Sequence, residues 1–122
     1  MTPRQREVYE IVRQANEKAE AAVRPGVPLR ELDGIARKTI TDAGCGPNFT
    51  HRLGHFIGLE DHDFGDVSSA ATDTAVPGNI FSIEPGIYLE GEFGVRIEDL
   101  VLVTEDGCEI LNDLSKGLEI IG

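Results

Sequence analysis

The sequence predicts an α+β domain in which two helices precede an antiparallel sheet. Apolar residues recur at helical spacing as far as residue 43, whereas short apolar runs separated by turn residues follow Gly44. Two of those turns are marked by residues 77–79, which read PGN, and by the pair Asp106 and Gly107. A helical half followed by a strand-rich half is typical of the α+β class, and 122 residues suit one domain.

The first helix is predicted to begin at Pro3. Thr2 is a good N-cap, proline fits the first helical position, and Gln5 completes a capping box. Its apolar face is made of residues at helical spacing, namely Val8, Val12, Ala15, Ala19 and Ala22. Residues 24–28, which include two prolines and a glycine, end the helix.

A second helix is predicted over residues 29–43. Its buried stripe consists of Leu32, Ile35, Ala36 and Ile40. Gly44 stands just past its end, where glycine is favoured because a left-handed backbone conformation is common there. Both apolar stripes are interpreted as core.

The second half of the chain is predicted to form strands and turns. Residues 49–57 read as extended chain with a kink at Gly54, and residues 61–76 as a polar loop. The predicted strands are 80–83, 95–103 and 108–111, with a hairpin connection over 88–94. Residues 114–121 are expected to form either a short helix or an extended tail.

Composition excludes several classes of function. The net charge of −11 argues against nucleic-acid binding, and no apolar run is long enough to cross a membrane. The polar start of the chain predicts no signal peptide. Two widely spaced cysteines, Cys45 and Cys108, fit a reduced cytoplasmic setting and no zinc finger.

Residues 51–62, which read HRLGHFIGLEDH, contain all three histidines of the chain. Imidazole is a common metal ligand, and Gly54 and Gly58 would let the backbone turn or approach a ligand closely. Three exposed histidines in a loop are the alternative. Glu84 and Glu98 lie among apolar strand-forming residues, where a carboxylate is costly to bury unless it is paired or bound to a metal. Each could instead face solvent.

Three segments together resemble the pita-bread (M24) metallopeptidase family, and within it the Xaa-Pro aminopeptidase and prolidase branch. They are HRLGHFIGLEDH at 51–62, SIEPGIY at 82–88 and GVRIED at 94–99, in the family's order. The resemblance implies the pita-bread fold, and it implies hydrolysis of the peptide bond preceding proline by a metal-activated hydroxide. Members bind two divalent ions (manganese, cobalt or zinc) with two aspartates, a histidine and two glutamates.

Matched by motif position, the metal ligands of this chain would be His55, Glu84 and Glu98. The resemblance implies that Glu98 bridges the two ions and that Glu84 passes a proton to the leaving nitrogen.

The same resemblance places three further residues beside the proline-containing peptide substrate. His51 and His62 would line its pocket with catalytic roles, and Arg96 would help to order the site. Each has a structural alternative: His51 could cap a loop, His62 could be an exposed turn residue, and Arg96 could only pair with a nearby acid.

The chain departs from the family pattern at its start. The family's aspartate ligands precede the first helix, but the first aspartate here is Asp33, and Asp33 and Asp42 on the second helix are poor substitutes. We therefore expect residues 1–122 to be the C-terminal portion of a pita-bread catalytic domain, lacking the aspartate-bearing segment. One ion or none should bind, and activity alone should be weak or absent. A bare sheet edge should pair with the missing segment or with a second copy in a homodimer.

Other functions on the same scaffold stay open. A non-catalytic peptide-binding module has no need for three metal ligands together. A metal-free creatinase-like hydrolase does not keep the metal-binding carboxylates, whereas this chain has Glu84 and Glu98. A methionine aminopeptidase-like enzyme is the closer alternative, because it is also a metallopeptidase. The spacing of the histidines and the segments around Glu84 and Glu98 look more like the proline-directed branch.

Overall fold

A computed structural model describes residues 2–55, 66–68, 74–89, 91, 93–111 and 117–121. Two helices are followed by an antiparallel sheet, as the sequence predicts. The helices are α1 (Pro3–Ala21) and α2 (Leu29–Asp42), and a short 3-10 helix spans Gly46–Asn48. The strands are β1 (Gly54–His55), β2 (Asp66–Val67), β3 (Ile80–Ile83), β4 (Gly86–Leu89), β5 (Phe93–Val103), β6 (Cys108–Ile110) and β7 (Gly117–Ile121).

The start of α1 follows the predicted capping box. The Thr2 hydroxyl accepts a hydrogen bond from the Gln5 amide at 3.1 Å, and the Gln5 side chain accepts one from the Thr2 amide at 3.0 Å. The predicted apolar face is buried at Val8, Val12, Ala15 and Ala19, and Ala22 packs against the core while partly exposed. Local sequence signals therefore place this helix correctly at its start and on its buried face.

The buried face of α2 is shifted from the prediction. Leu32, Ala36 and Ile40 are buried, but Ile35 is only half-buried and the side chain of Asp33 is fully buried instead. Gly44 follows the helix with φ +88°, the left-handed conformation expected of glycine at that position.

The central strand of the sheet is β5, which pairs with four other strands. Along one edge lie β3 and β4, which pair with successive parts of β5, and along the other lie β6 and β7. Ile83 stands opposite Asp99 and Gly86 opposite Arg96, so β3 and β4 continue one register through the intervening residues. Pro85 interrupts the ladder because it has no amide hydrogen, although its carbonyl still accepts from the Ile97 amide at 3.3 Å.

Side chains alternate along β5 between the core and the opposite face. Val95, Ile97, Val101 and Val103 are buried in the cluster that includes the apolar face of α1. Helix α1 packs on both β5 and α2. Its buried Asn16 amide donates a hydrogen bond to the Ile83 carbonyl at 3.3 Å, which ties the helix to the end of β3.

Two predictions about irregular segments need correction. The helical alternative for residues 114–121 is wrong where the structure describes them, because Gly117–Ile121 is a strand paired with β5. The extended chain predicted over 49–57 is a strand only at Gly54–His55, and residues 49–53 are irregular. Residues 56–65 and most of the predicted 61–76 loop lie outside the described residues. Within the described part, no helix has both the length and the apolar character that crossing a bilayer requires.

Candidate metal centre

Three groups that the motifs single out converge at the junction of β1, β3, β4 and β5. His55, Glu84 and Glu98 each offer one nitrogen or oxygen atom, and these atoms lie within 4.8 Å of one another. The His55 Nε2 and Glu84 Oε2 atoms are 3.5 Å apart. Among the described residues this is the one group of three or more such side chains that could hold a metal ion.

His55 reaches this point because β1 lies unusually close to β3. At Gly54 a Cβ atom would overlap the carbonyl oxygen of Ser82, so only glycine allows this approach. The His55 amide then donates to the Ser82 hydroxyl at 3.0 Å, and the Glu84 amide donates to the Leu53 carbonyl at 2.7 Å. Two backbone hydrogen bonds thereby fix the histidine and the first glutamate relative to each other.

The two glutamates face each other across the interruption at Pro85. The register of β3 and β4 on β5 places Glu84 opposite Glu98. Burial raises the pKa of Glu98, and the charge of Glu84 raises it further, while Arg96 and His55 oppose the rise.

Glu84 has an atom whose surroundings suit a cation. Its Oε2 oxygen is buried and has no hydrogen-bond partner among the described residues. An orphaned carboxylate oxygen is costly to bury, and a cation would offset that cost. Imidazole nitrogen and carboxylate oxygens are also donors that manganese, cobalt and zinc accept. The residues present therefore fit a divalent metal.

The raised pKa of Glu98 makes stability depend on pH. The ordinary value is 4.5, and a carboxyl with a higher folded-state pKa contributes stability at low pH that is lost as pH rises through that pKa. We therefore expect Glu98→Gln to raise the melting temperature of the metal-free chain at pH 7, and the difference from wild type to shrink towards pH 4. Thermal unfolding in EDTA from pH 4 to pH 8 measures this. A constant difference over that range would contradict it.

His51 does not belong to the three-residue group but lies beside it. Its Nδ1 atom is 2.6 Å from the Arg52 carbonyl, which can only accept, so Nδ1 carries the hydrogen. In the neutral ring Nε2 therefore accepts from the Tyr88 hydroxyl, 2.8 Å away. The ring also makes edge contacts with Phe49 and Tyr88. These contacts fix the orientation of His51, and its catalytic role stays a prediction.

A cavity of about 260 Å³ opens beside the metal-ligand group. It is lined by His51, Arg52, Gly54, His55, Glu84 and Arg96. Arg96 stands two residues before Glu98 on the same face of β5, as predicted from strand alternation. Four of the six predicted site residues thus border one space. His62 lies outside the described residues.

Tyr88 is a residue of this site that the sequence did not single out. It stands opposite Gly94, and its ring lies across the positions where side chains at Gly86 and Gly94 would be. A Cβ atom at Gly86 would be 2.6 Å from the Tyr88 hydroxyl oxygen. The sequence does contain a signal for this role of Tyr88, namely an aromatic residue between two strand glycines. In that pattern the aromatic ring covers the space that the glycines leave without side chains.

Two other aspartates are engaged elsewhere. Asp33 pairs with Arg37 at 2.9 Å, and Asp42 pairs with Lys38 at 2.9 Å on the exposed face of α2. Neither belongs to the metal-ligand group.

Comparisons with known proteins identify the family of the chain. A family model described as metallopeptidase family M24 matches residues 1–105. An Xaa-Pro dipeptidase of Lactobacillus delbrueckii subsp. lactis is 48% identical over 120 residues, which is 98% of this chain and 33% of that protein. An uncharacterized peptidase of Staphylococcus saprophyticus is 50% identical over 110 residues, which is 90% of this chain and 31% of that protein.

Solved structures give the same result for the fold. A prolidase from Pyrococcus furiosus superposes with a TM-score of 0.90 at 43% identity, covering 94% of this chain and 34% of that one. An X-Pro aminopeptidase from Thermotoga maritima has a TM-score of 0.89 at 42% identity, covering 95% and 33%. The α+β fold is therefore the pita-bread fold that the resemblance implied. The chain spans about a third of the length of the curated relatives it matches. With the family model matched over most of its length, this chain belongs to metallopeptidase family M24.

Proposed function

We propose that this chain provides part of a metal-dependent peptidase site that hydrolyses peptide bonds preceding proline. The observation that carries the proposal is the convergence of His55, Glu84 and Glu98 within 4.8 Å beside an open cavity. Similarity to proteins named Xaa-Pro dipeptidase, prolidase and X-Pro aminopeptidase supports the choice of substrate.

His55, Glu84 and Glu98 are the residues that would hold a divalent cation. When bound there, the cation lowers the pKa of a water molecule and polarises the scissile carbonyl. Glu84 is the candidate for moving a proton, because its side chain lines the cavity and its buried Oε2 oxygen has no hydrogen-bond partner among the described residues. Glu98 stands opposite Glu84 in the register of the sheet, where it would serve as a ligand of the same cation.

The substrate-facing residues would be His51, His62 and Arg96. His51 and Arg96 border the cavity next to the metal-ligand group, where a bound peptide would lie. His51 is held by hydrogen bonds to both ring nitrogens, which suits a residue that shapes a pocket rather than one that changes its orientation during the reaction. His62 is included by motif position alone.

The number of ligands limits what this chain does by itself. Three ligand residues of this kind hold one ion with open positions, and a two-ion site would need further carboxylates. We infer that residues 1–122 form the C-terminal portion of a catalytic domain whose remaining ligands come from a segment of the longer protein. Weak or absent activity of the isolated chain follows.

The partner and the cellular setting stay predictions. The outer edge of β6 would pair with that further segment or with a second copy, and light scattering at high concentration distinguishes a monomer from a dimer. The cytoplasmic setting rests on the free Cys45 and Cys108 thiols.

Titration of the purified chain with Mn²⁺ tests the proposed function. We expect about one weakly bound ion per chain by calorimetry, further weakening in Glu98→Ala, and little cleavage of an Xaa-Pro dipeptide. Failure of the wild-type chain to bind Mn²⁺, Co²⁺ or Zn²⁺ would contradict the metal site. Two ions per chain with rapid dipeptide cleavage would contradict the incomplete site while supporting the peptidase chemistry.

A further inference from the structure

An ion pair on α2, with a buried carboxylate and a half-buried guanidinium group, contacts the segment that leads to His55. The Asp33 carboxylate is fully buried, and Arg37, one turn later, binds it with two hydrogen bonds: Nε to Oδ1 at 2.9 Å and Nη2 to Oδ2 at 3.2 Å. A buried carboxylate is costly unless it is paired and hydrogen-bonded, so a partner with this fork geometry is expected. The Asp33 carboxylate is therefore tolerated within the apolar stripe of α2 because Arg37 pairs with it.

Both members of the pair also bind the backbone of one segment, residues 49–53. Arg37 donates to the Phe49 carbonyl at 3.1 Å and to the His51 carbonyl at 3.0 Å. Asp33 accepts from the Leu53 amide at 3.0 Å. The guanidinium group also lies 4.2 Å from the centre of the Phe49 ring. Three backbone groups of the segment are thus bound by two side chains of the helix.

The segment lies between the 3-10 helix and β1 and belongs to neither, so among the described residues no ladder of strand hydrogen bonds holds it. Its Phe49 and Leu53 side chains are buried in the core, and the Asp33–Arg37 pair binds the backbone between and beside them. Leu53 connects the ion pair on α2 with the metal-ligand group. Its amide donates to Asp33, and its carbonyl accepts from the Glu84 amide at 2.7 Å. His55 follows two residues later.

We propose that Asp33 and Arg37 are positioning residues that set the path of residues 49–53 and thereby the placement of His55 and His51 relative to Glu84. They act through backbone hydrogen bonds and not as metal ligands. The consequence for metal affinity rests on the proposed function, whereas the effect on the segment itself does not.

The first measurement is Mn²⁺ affinity of the Asp33→Asn and Arg37→Gln variants. We expect each to bind Mn²⁺ about tenfold more weakly than wild type, as is common when groups that orient ligands are removed. Lys38→Gln and Asp42→Asn are matched controls, because they break an ion pair with the same spacing on the exposed face of the same helix. Both should bind Mn²⁺ as wild type does.

A second control separates positioning from general loss of stability. Val12→Ala removes two methyl groups from the buried face of α1 but leaves the hydrogen bonds of Asp33 and Arg37 to residues 49–53 in place, and it should lower the melting temperature without changing Mn²⁺ affinity. If Val12→Ala and Asp33→Asn have similar melting temperatures and lose Mn²⁺ affinity to the same extent, the positioning role is wrong.

Amide hydrogen exchange of the metal-free chain provides a readout that needs no metal. The Leu53 amide should be protected in wild type and should lose most of that protection in Asp33→Asn, while amides inside α1 keep theirs. Unchanged protection at Leu53, or lost protection with unchanged Mn²⁺ affinity, would overturn the proposal. If wild type binds no Mn²⁺, the proposed function fails, and the exchange result alone decides whether the pair holds the segment.

Discussion

Replacing Glu84 by glutamine is expected to remove the stabilisation of this chain by Mn²⁺. Glu84 places a buried oxygen, without a hydrogen-bond partner among the described residues, 3.5 Å from the His55 ring nitrogen. Glutamine keeps the shape but removes the charge that attracts the cation. At a free Mn²⁺ concentration one hundred times the dissociation constant, binding stabilises the folded wild type by about 2.7 kcal/mol, which is several degrees in melting temperature.

Thermal unfolding at pH 7 with Mn²⁺ and with EDTA measures this difference. In Glu84→Gln we expect the two melting temperatures to coincide, and the value in EDTA to equal or exceed that of wild type because repulsion between Glu84 and Glu98 is relieved. Glu10→Gln, at an exposed carboxylate on α1, is the control and should keep the full shift with Mn²⁺. An undiminished Mn²⁺ shift in Glu84→Gln would show that Glu84 is not a ligand.

Gly54→Ala should destabilise the fold and disrupt the metal-ligand group together. The added Cβ would overlap the backbone carbonyl of Ser82, which cannot rotate away as a side chain could. β1 must then separate from β3, with loss of the hydrogen bonds that His55 and Glu84 make through their amides. Overpacking and two lost hydrogen bonds together cost about 2–5 kcal/mol.

Urea unfolding at pH 7 gives this free energy, and Mn²⁺ titration gives the effect on binding. Gly34→Ala is a matched control, because Gly34 lies inside α2 with nothing near the position of its added Cβ. Alanine there should be neutral or stabilise the chain by up to about 1 kcal/mol. Equal stability of Gly54→Ala and wild type would mean that β1 and β3 do not approach as closely as described.

The sequence predicts well those features whose causes lie within a few residues. The capping box at Thr2, the apolar face of α1 and the alternation along β5 are local patterns, and each is confirmed. The metal-ligand group was predicted by motif order rather than by geometry. Its convergence also depends on a steric fact, the absence of a side chain at Gly54, which the sequence does show.

Features that depend on distant partners were missed. Asp33 reads as a surface acid of a helix until the Leu53 amide, twenty residues later, is placed beside it. Strand β7 has a sequence compatible with a short helix, and pairing with β5 decides its conformation. Tyr88 matters because His51, 37 residues earlier, meets its hydroxyl. Local preference cannot determine contacts over such separations.

One face of strand β5 packs in the core, and the other face carries Glu98 of the metal-ligand group. Ile97 is buried beneath the sheet, and the next residue, Glu98, points to the site. Because strand side chains alternate, inserting one residue ahead of this pair would turn the carboxylate into the core and an apolar side chain into the site. Evolution or engineering can therefore alter this centre by substitution within β5, but a change in the length of the strand would destroy the core and the chemistry in a single step.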